Sequence, residues 1–256
     1  MATDSRGYIA LPPQGLIQPE FAPLVRKVVT TLTAQFPTLI NSLYLYGSIA
    51  RGQAVPGTSD LDITIIFHSP PSPQQQLALD TLQRSMAVAN PQVSKIDFDC
   101  GLRSEVLNRD NQYSWGYWLK HHCRCLYGED LGDYFQPFKP SKAIAIAVNG
   151  DFMPVISRYL NEAESVTDRL QRRLLIRATA RKLLRATDIL RQEDDTDWPD
   201  SLPAYADKIK ARFPQVSNEA QRLLLACQHA TDFSDQQVAQ IKAFAIWLER
   251  VFTTPQ

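Results

Sequence analysis

The stretch from Tyr44 to Phe67 constrains this chain more than any other part of its sequence. An apolar run (SLYLY) ends at Gly47 and Ser48, a short helix and a Gly/Pro loop follow, and an Ile-rich run (DLDITIIF) begins at Asp60. The two apolar runs predict β-strands because they are short, β-branched or aromatic, and bounded by glycine and proline. The stretch therefore predicts strand, glycine turn, short helix, loop and strand.

The turn between the predicted strands suits a phosphate. Gly47 has no Cβ, so its backbone can approach a ligand closely. The N–H groups at the start of the following helix, together with the Ser48 hydroxyl, can bind a terminal phosphate. Arg51 follows within one helical turn, and both a phosphate contact and a solvated surface position are consistent with its place.

The start of the second strand carries two carboxylates. Asp60 and Asp62 are two residues apart, so both side chains leave the same face of a strand. Two neighbouring carboxylates repel each other and raise each other's pKa unless a cation lies between them. Mg²⁺ fits this position because it prefers oxygen ligands and leaves part of its shell to substrate phosphates.

A third strand, predicted at 94–100 (SKIDFDC), supplies Asp97 and Asp99 on one face. If it lies beside the strand of Asp60 and Asp62, a third carboxylate can join that pair. In an arrangement with two metal ions, the third acid binds the second ion or takes the proton of the attacking hydroxyl. The sequence leaves open which of Asp97 and Asp99 has this role.

Each of these features alone is common at positions that have no functional role, but their combination resembles a known family. Gly47-Ser48 followed by Asp60-Leu61-Asp62 resembles the signature of the nucleotidyltransferase superfamily with the DNA polymerase beta-like palm, which includes aminoglycoside adenylyltransferases and the small MNT proteins. The resemblance covers about residues 21–135. It implies that the aspartates bind Mg²⁺, two ions in all, that Gly47 and Ser48 hold the triphosphate of ATP or another NTP, and that Leu126–Glu129 form the closing strand and turn.

The rest of the chain predicts an α+β protein in which a mixed sheet flanked by helices precedes an all-helical region. We expect an irregular N-terminal arm at 1–20, a catalytic domain at 21–138 and a helical bundle domain at 139–256. The aromatic segment 114–131 is predicted as a helix that ends near Gly128. Helical spacing of apolar residues predicts the remaining helices at 21–36, 74–88, 152–163, 165–192, 202–213, 215–230 and 234–252.

The long helix predicted at 165–192 carries a row of arginines four residues apart, which curls slowly round the helix. Two interpretations stay open. The row is a solvated basic face, or part of it, Lys182 and Arg185 above all, binds the triphosphate or an anionic substrate group.

Composition limits the partners. Lys+Arg and Asp+Glu balance at 27 each, so no bulk binding of polyanions, and hence no nucleic-acid partner, is expected. We expect no membrane span, because no apolar run of about 18 residues occurs. We expect no secretory signal, because the N-terminus has no charged segment followed by an apolar one. The four cysteines form no C-x-x-C pair and are expected as reduced thiols in a cytoplasmic protein.

The function expected from these features is Mg²⁺-dependent transfer of a nucleoside monophosphate, AMP from ATP, to a hydroxyl of a small molecule. The helical second half favours an aminoglycoside-like acceptor, since two-domain adenylyltransferases of the family have the same layout. The alternatives are an MNT-type antitoxin-like enzyme that adenylylates a protein, a nucleotide-binding module without catalysis, and an interaction role for the helical half.

Overall fold

The computed structural model describes residues 3–228 and 233–254. The chain forms two compact units, one of Ala10–Phe138 and one that combines Met1–Ile9 with Lys139–Gln256. The segment at 1–20 contributes to both units, and an isolated bridge joins Thr3 to Ile9 in the second. The division into domains at 21–138 and 139–256 stays a prediction about which parts fold independently.

The first unit alternates helices and strands, as expected. Its regular elements are α1 (Ala22–Gln35), β1 (Ile40–Tyr46), α2 (Gly47–Ala50), β2 (Leu61–Phe67), α3 (Pro73–Val88), β3 (Ile96–Leu102), α4 (Arg103–Val106), α5 (Tyr117–His122) and β4 (Arg124–Gly128). Helix α3 begins with a capping box in which Ser72 and Gln75 satisfy each other's free N–H groups.

The four strands form one mixed sheet in the order β3-β2-β1-β4. Strand β2 runs parallel to β3, and β1 is antiparallel to both β2 and β4. The parallel pair is possible because α3 crosses from the end of β2 to the start of β3. Asp62, Asp97 and Asp99 therefore lie on two neighbouring strands, and Asp60, which was expected on the strand, directly precedes β2.

Both faces of the sheet are covered, and the strand residues alternate between them. Leu61, Ile63 and Ile65 belong to the apolar core that also contains residues of α1 and α3. Tyr44 and Ile66 belong to a smaller core on the opposite side, with Val106, Leu119, Cys123 and Leu131. Since residues two apart share a face, Asp62 and Thr64 lie on the side of the smaller core.

The helix predicted over 114–131 is wrong beyond His122. One π-helical turn (Gln112–Gly116) leads into α5, and the chain then extends as β4 and pairs with β1. The end of β4 requires a glycine: Gly128 has φ of +80°, and a Cβ there would overlap the carbonyl of Asn41. Pairing with a sheet edge thus overrides the helical spacing of the aromatic residues.

The second unit contains helices and no sheet among its described residues, as expected. Its helices are α6 (Lys142–Asn149), α7 (Phe152–Ser165), α8 (Arg169–Ala186), α9 (Leu202–Arg212), α10 (Ser217–Gln228) and α11 (Asp235–Thr253), with a 3-10 turn at Thr187–Leu190. Helix α6 was not predicted. Along the described chain, every helix is too short or too polar to cross a membrane.

Candidate active site

The register of β2 against its two neighbours brings the predicted residues together. Asp62 lies opposite Tyr46, the last residue of β1, and beside Asp97 of β3. Because Gly47 directly follows Tyr46, the glycine turn and the carboxylates of two strands meet at one end of the sheet.

Asp60, Asp62 and Asp97 form a carboxylate group in which one oxygen from each residue lies within 4.8 Å of the others. Within residues 3–228 and 233–254, no other group of three or more His, Cys, Asp or Glu side chains is close enough to share an ion. All three side chains are partly exposed, so a ligand can reach them. We call Asp60, Asp62 and Asp97 the carboxylate triad.

The pKa of one member of the triad, Asp62, is raised above its ordinary value. Burial, followed by the negative charges of Asp60 and Asp97, raises the pKa of Asp62 to about 7. A carboxylate in such surroundings gains a bound proton or a bound cation more readily than an isolated one. Asp62 is therefore the residue of the triad that most needs a positive charge.

The triad fits a hard divalent cation. Its donors are all carboxylate oxygens, which Mg²⁺ prefers over nitrogen or sulfur donors. Two oxygens on opposite sides of one Mg²⁺ are about 4.2 Å apart, so small rotations of the side chains close a separation of 4.8 Å. The three aspartates together can bind such an ion.

Gly47 is fixed at this position by two constraints. Its φ is +76°, in the left-handed region that side chains other than glycine rarely adopt. A Cβ at Gly47 would also overlap the Asp62 carboxylate. The backbone of the turn therefore packs directly against the triad, and α2 that follows is a single turn of four residues.

Asp99 lies outside the triad, although it shares a strand face with Asp97. It pairs with Thr64, one step further along β2, and its carboxylate accepts a hydrogen bond from the Tyr46 hydroxyl. Burial, and then the charge of Asp99, raise the pKa of Tyr46. The ring of Tyr46 also meets Trp118 edge-on, with 4.8 Å between ring centroids.

Two residues at the site were missed by the sequence analysis. The Ser94 hydroxyl donates to Asp60, and the Lys95 ammonium contacts Asp97 and lies 3.7 Å from Asp60. Both precede β3, so the segment that starts this strand carries its own partners for the carboxylates. The signal in the sequence was a lysine two residues before Asp97.

The other predicted residues lie in three different places. Ser48 is half-buried in α2, next to Gly47, and Arg51 is exposed at the end of that turn. In the second unit, the Lys182 ammonium donates to Asp151 at 2.7 Å and to the Val148 carbonyl at 3.3 Å, and Arg185 is exposed. A role of Arg51, Lys182 and Arg185 in binding nucleotide stays a prediction.

Comparison with known families decides what kind of site this is. Residues 25–117 match the family model described as a nucleotidyltransferase domain. The chain carries a nucleotidyltransferase domain. The matched residues include the glycine turn and the whole carboxylate triad. The family match therefore applies to this domain, which contains the sheet and the candidate site.

Comparison of the fold agrees with this domain assignment. A crystal structure of spectinomycin adenyltransferase AAD(9) from Enterococcus faecialis, with ATP and spectinomycin, matches with a TM-score of 0.59 and 14% sequence identity. The match covers 89% of this chain and 99% of that chain, so it includes both the sheet and the helical part. Curated protein sequences gave no match to the chain.

Proposed function

We propose that this protein transfers AMP from ATP to a hydroxyl of a small, aminoglycoside-like molecule, with Mg²⁺ as its cofactor, in the cytoplasm. One observation carries the proposal: the nucleotidyltransferase domain presents three carboxylates from two neighbouring strands directly against a glycine turn that no larger residue could form. A nucleoside triphosphate binds through a metal ion and through backbone N–H groups that its phosphates can approach closely, and this site offers carboxylates for the first and a glycine turn for the second.

Each part of the site has a task in this reaction. Asp60, Asp62 and Asp97 would hold Mg²⁺, which when bound supplies positive charge that neutralises the triphosphate. The backbone at Gly47 and the Ser48 hydroxyl receive a phosphate group, because no side chain blocks the approach there. Positioning and charge neutralisation together lower the barrier of such transfers.

The transfer itself exchanges one phosphorus–oxygen bond for another. The oxygen of the acceptor hydroxyl forms a bond to the α-phosphorus, and the bond from that phosphorus to the bridging oxygen of the β-phosphate breaks. Pyrophosphate leaves with the electron pair of the broken bond. The hydroxyl proton passes to Asp97, which lies on the neighbouring strand to Asp62.

The choice of acceptor is supported by the extent of the structural match. The spectinomycin adenyltransferase was solved with ATP and spectinomycin, and nearly its whole length, 99%, is matched by this chain. An enzyme that consisted of the catalytic domain alone, as in small protein-modifying relatives, would match only the sheet. The helical unit therefore favours a small molecule over a protein as acceptor.

Pyrophosphate release tests the proposal. The purified full chain is incubated with ATP and Mg²⁺ and a panel of aminoglycosides and aminocyclitols that includes spectinomycin. We expect release with at least one acceptor, and a fall of about a thousandfold, equivalent to about 4 kcal/mol, in Asp60→Asn and Asp62→Asn. Asp110→Asn, an exposed aspartate on the 3-10 turn Arg109–Asn111 of the same unit, is the matched control and should keep full activity.

Other outcomes point to other functions. Labelling of a protein in lysate without release for any small acceptor would favour an antitoxin-like enzyme. Tight ATP binding without turnover in any mixture would favour a module without catalysis. Turnover that survives the loss of Asp60 and Asp62 would show that the triad is not the active site. Titration of Mn²⁺ in the presence of an ATP analogue counts the ions, for which two is the expected number.

A further inference from the structure

The carboxylate triad carries a cation of its own. The Lys95 ammonium donates a hydrogen bond to Oδ2 of Asp97 and lies 3.7 Å from Oδ2 of Asp60. The Ser94 hydroxyl donates a hydrogen bond to Oδ1, the other carboxylate oxygen of Asp60. Lys95 thus bridges two members of the triad, Asp60 and Asp97.

This ammonium relieves only part of the repulsion in the triad. One positive charge faces three carboxylates, and it contacts two of them, Asp97 and Asp60. Burial by itself lowers the pKa of Lys95, but Asp97, Asp60 and Asp62 outweigh it and raise that pKa above its ordinary value. Lys95 therefore remains charged beside the triad, and the triad retains an excess of negative charge.

Lys95 and a divalent cation would share two carboxylates. A metal held by the triad would bind Asp60 and Asp97, the same two side chains that the ammonium contacts. Two positive charges at such a separation repel each other, so both cannot occupy the triad with full occupancy. Binding of the metal must displace the ammonium from at least one carboxylate.

The surroundings of Lys95 let it leave at little cost. Its side chain is 56% exposed, so water can hydrate the ammonium as soon as it leaves the triad. A groove of about 350 Å³ lies next to it, between α3 and the start of β3. Its lining includes Asp80, Gln83 and Arg84, as well as Lys95 and Asp97.

We propose that Lys95 is an exchangeable counterion of the active site, which neutralises the triad while no metal is bound and moves off it when Mg²⁺ binds. The inference rests on the proposed function in one respect, that the triad is the metal site. It assigns to Lys95 two opposite effects: the ammonium stabilises the metal-free protein, and it weakens the binding of the metal.

Metal binding without nucleotide separates these effects. Mn²⁺ is titrated alone into the full chain by calorimetry, and the melting temperature is measured in EDTA and in Mn²⁺. Lys95→Met, which keeps the length of the side chain without its charge, should bind Mn²⁺ about five- to tenfold more tightly. Its melting temperature should be about 2–4 °C lower in EDTA. Mn²⁺ should raise that melting temperature more than it raises the melting temperature of the wild type.

Two further variants control for charge and folding. Lys27→Met removes one charge from an exposed position on α1, and it should bind Mn²⁺ as the wild type does. Lys95→Arg keeps the positive charge, and it should also retain the affinity of the wild type. Tighter binding in Lys95→Met alone supports the inference.

The contrary results are distinct. If the wild type binds Mn²⁺ and Lys95→Met binds it equally or more weakly, Lys95 is not a competing counterion, and the proposed function is unaffected. If neither the wild type nor Lys95→Met binds Mn²⁺ alone at millimolar concentration, this inference fails. The proposed function fails with it only if Mn²⁺ also does not bind in the presence of an ATP analogue.

Discussion

The two units of this protein each contain a cluster of opposite charges, and the clusters are built in different ways. In the helical unit, Asp188 pairs with Arg191 at 3.2 Å and with Lys208 at 2.9 Å, and Lys208 and Arg212 reach Asp195 at 3.2 and 2.7 Å. The Asp188 and Arg191 side chains are 2% and 0% exposed. In the sheet unit, three partly exposed carboxylates share one lysine.

The difference teaches how position and charge balance separate a structural cluster from a reactive one. The helical cluster pairs each acid with at least one cation, and its arginine also packs on Trp198, 4.7 Å from the ring centroid. Such a network holds the segment that follows the 3-10 turn Thr187–Leu190 against α9. The triad is left short of cations at an open end of the sheet, where a ligand can supply the missing charge.

The largest expected effect breaks the helical cluster. Arg191→Met should lower the free energy of unfolding by about 3–5 kcal/mol, because it leaves Asp188 buried with one partner fewer. Urea unfolding in EDTA measures this. Asp62→Asn in the triad should keep or raise stability under the same conditions, since it removes repulsion. Arg250→Met, at an exposed position on α11, is the control. A loss below about 1 kcal/mol in Arg191→Met would show that the two clusters do not differ in this way.

A smaller effect is expected at the glycine turn. Gly47→Ala should lower the free energy of unfolding by about 1–3 kcal/mol and weaken metal binding, because it combines left-handed strain with overlap on Asp62. Gly52→Ala is the matched control: its φ is +68°, but nothing lies within 4 Å of the added Cβ. Equal metal binding in the two variants would mean that the contact between Gly47 and Asp62 does not shape the site.

The smallest effect is a pH dependence that the triad should have and the helical cluster should lack. Because the pKa of Asp62 is about 7, a proton competes with the metal below that pH. Mn²⁺ affinity should therefore rise about tenfold between about pH 6 and about pH 8. Asp62→Asn should flatten this profile. A steep profile that persists in Asp62→Asn would assign the titration to another group.

The same shift has a consequence for stability in EDTA. A carboxyl whose pKa is raised on folding contributes stability below its unfolded pKa, and this contribution is lost as the pH rises through the folded value. For Asp62, that window runs from the ordinary pKa of 3.8 to a pKa of about 7. The metal-free protein should lose stability across it, and saturating Mn²⁺ should restore that stability at its upper end.

The elements of the site could be predicted from the sequence, because they depend on local pattern. The period of two places Asp60 and Asp62 on one face wherever the strand begins, and Gly47 follows an apolar strand. The choice between Asp97 and Asp99 could not be predicted. It depends on the register of β3 against β2, which brings Asp97 next to Asp62 and leaves Asp99 to Tyr46.

Two errors in the predicted fold have different origins. The chain after His122 forms β4 because the edge of β1 offers hydrogen bonds, and that edge is formed by residues about 80 positions earlier. Helix α6 was missed because its residues 143–148 form one continuous apolar run, which shows no helical spacing. Its N-cap Ser141, whose hydroxyl accepts from the Ile144 N–H at 3.2 Å, was the usable signal.

Binding of a non-hydrolysable ATP analogue with Mg²⁺, measured by calorimetry in the wild type, Asp97→Asn and Asp99→Asn, tests the central claim most directly. The claim is that Asp97 completes the metal site with Asp60 and Asp62, and that Asp99 supports Tyr46. We expect binding that requires Mg²⁺, is lost in Asp97→Asn and is retained in Asp99→Asn. Binding that is equal without metal, or that is lost in Asp99→Asn and retained in Asp97→Asn, would contradict it.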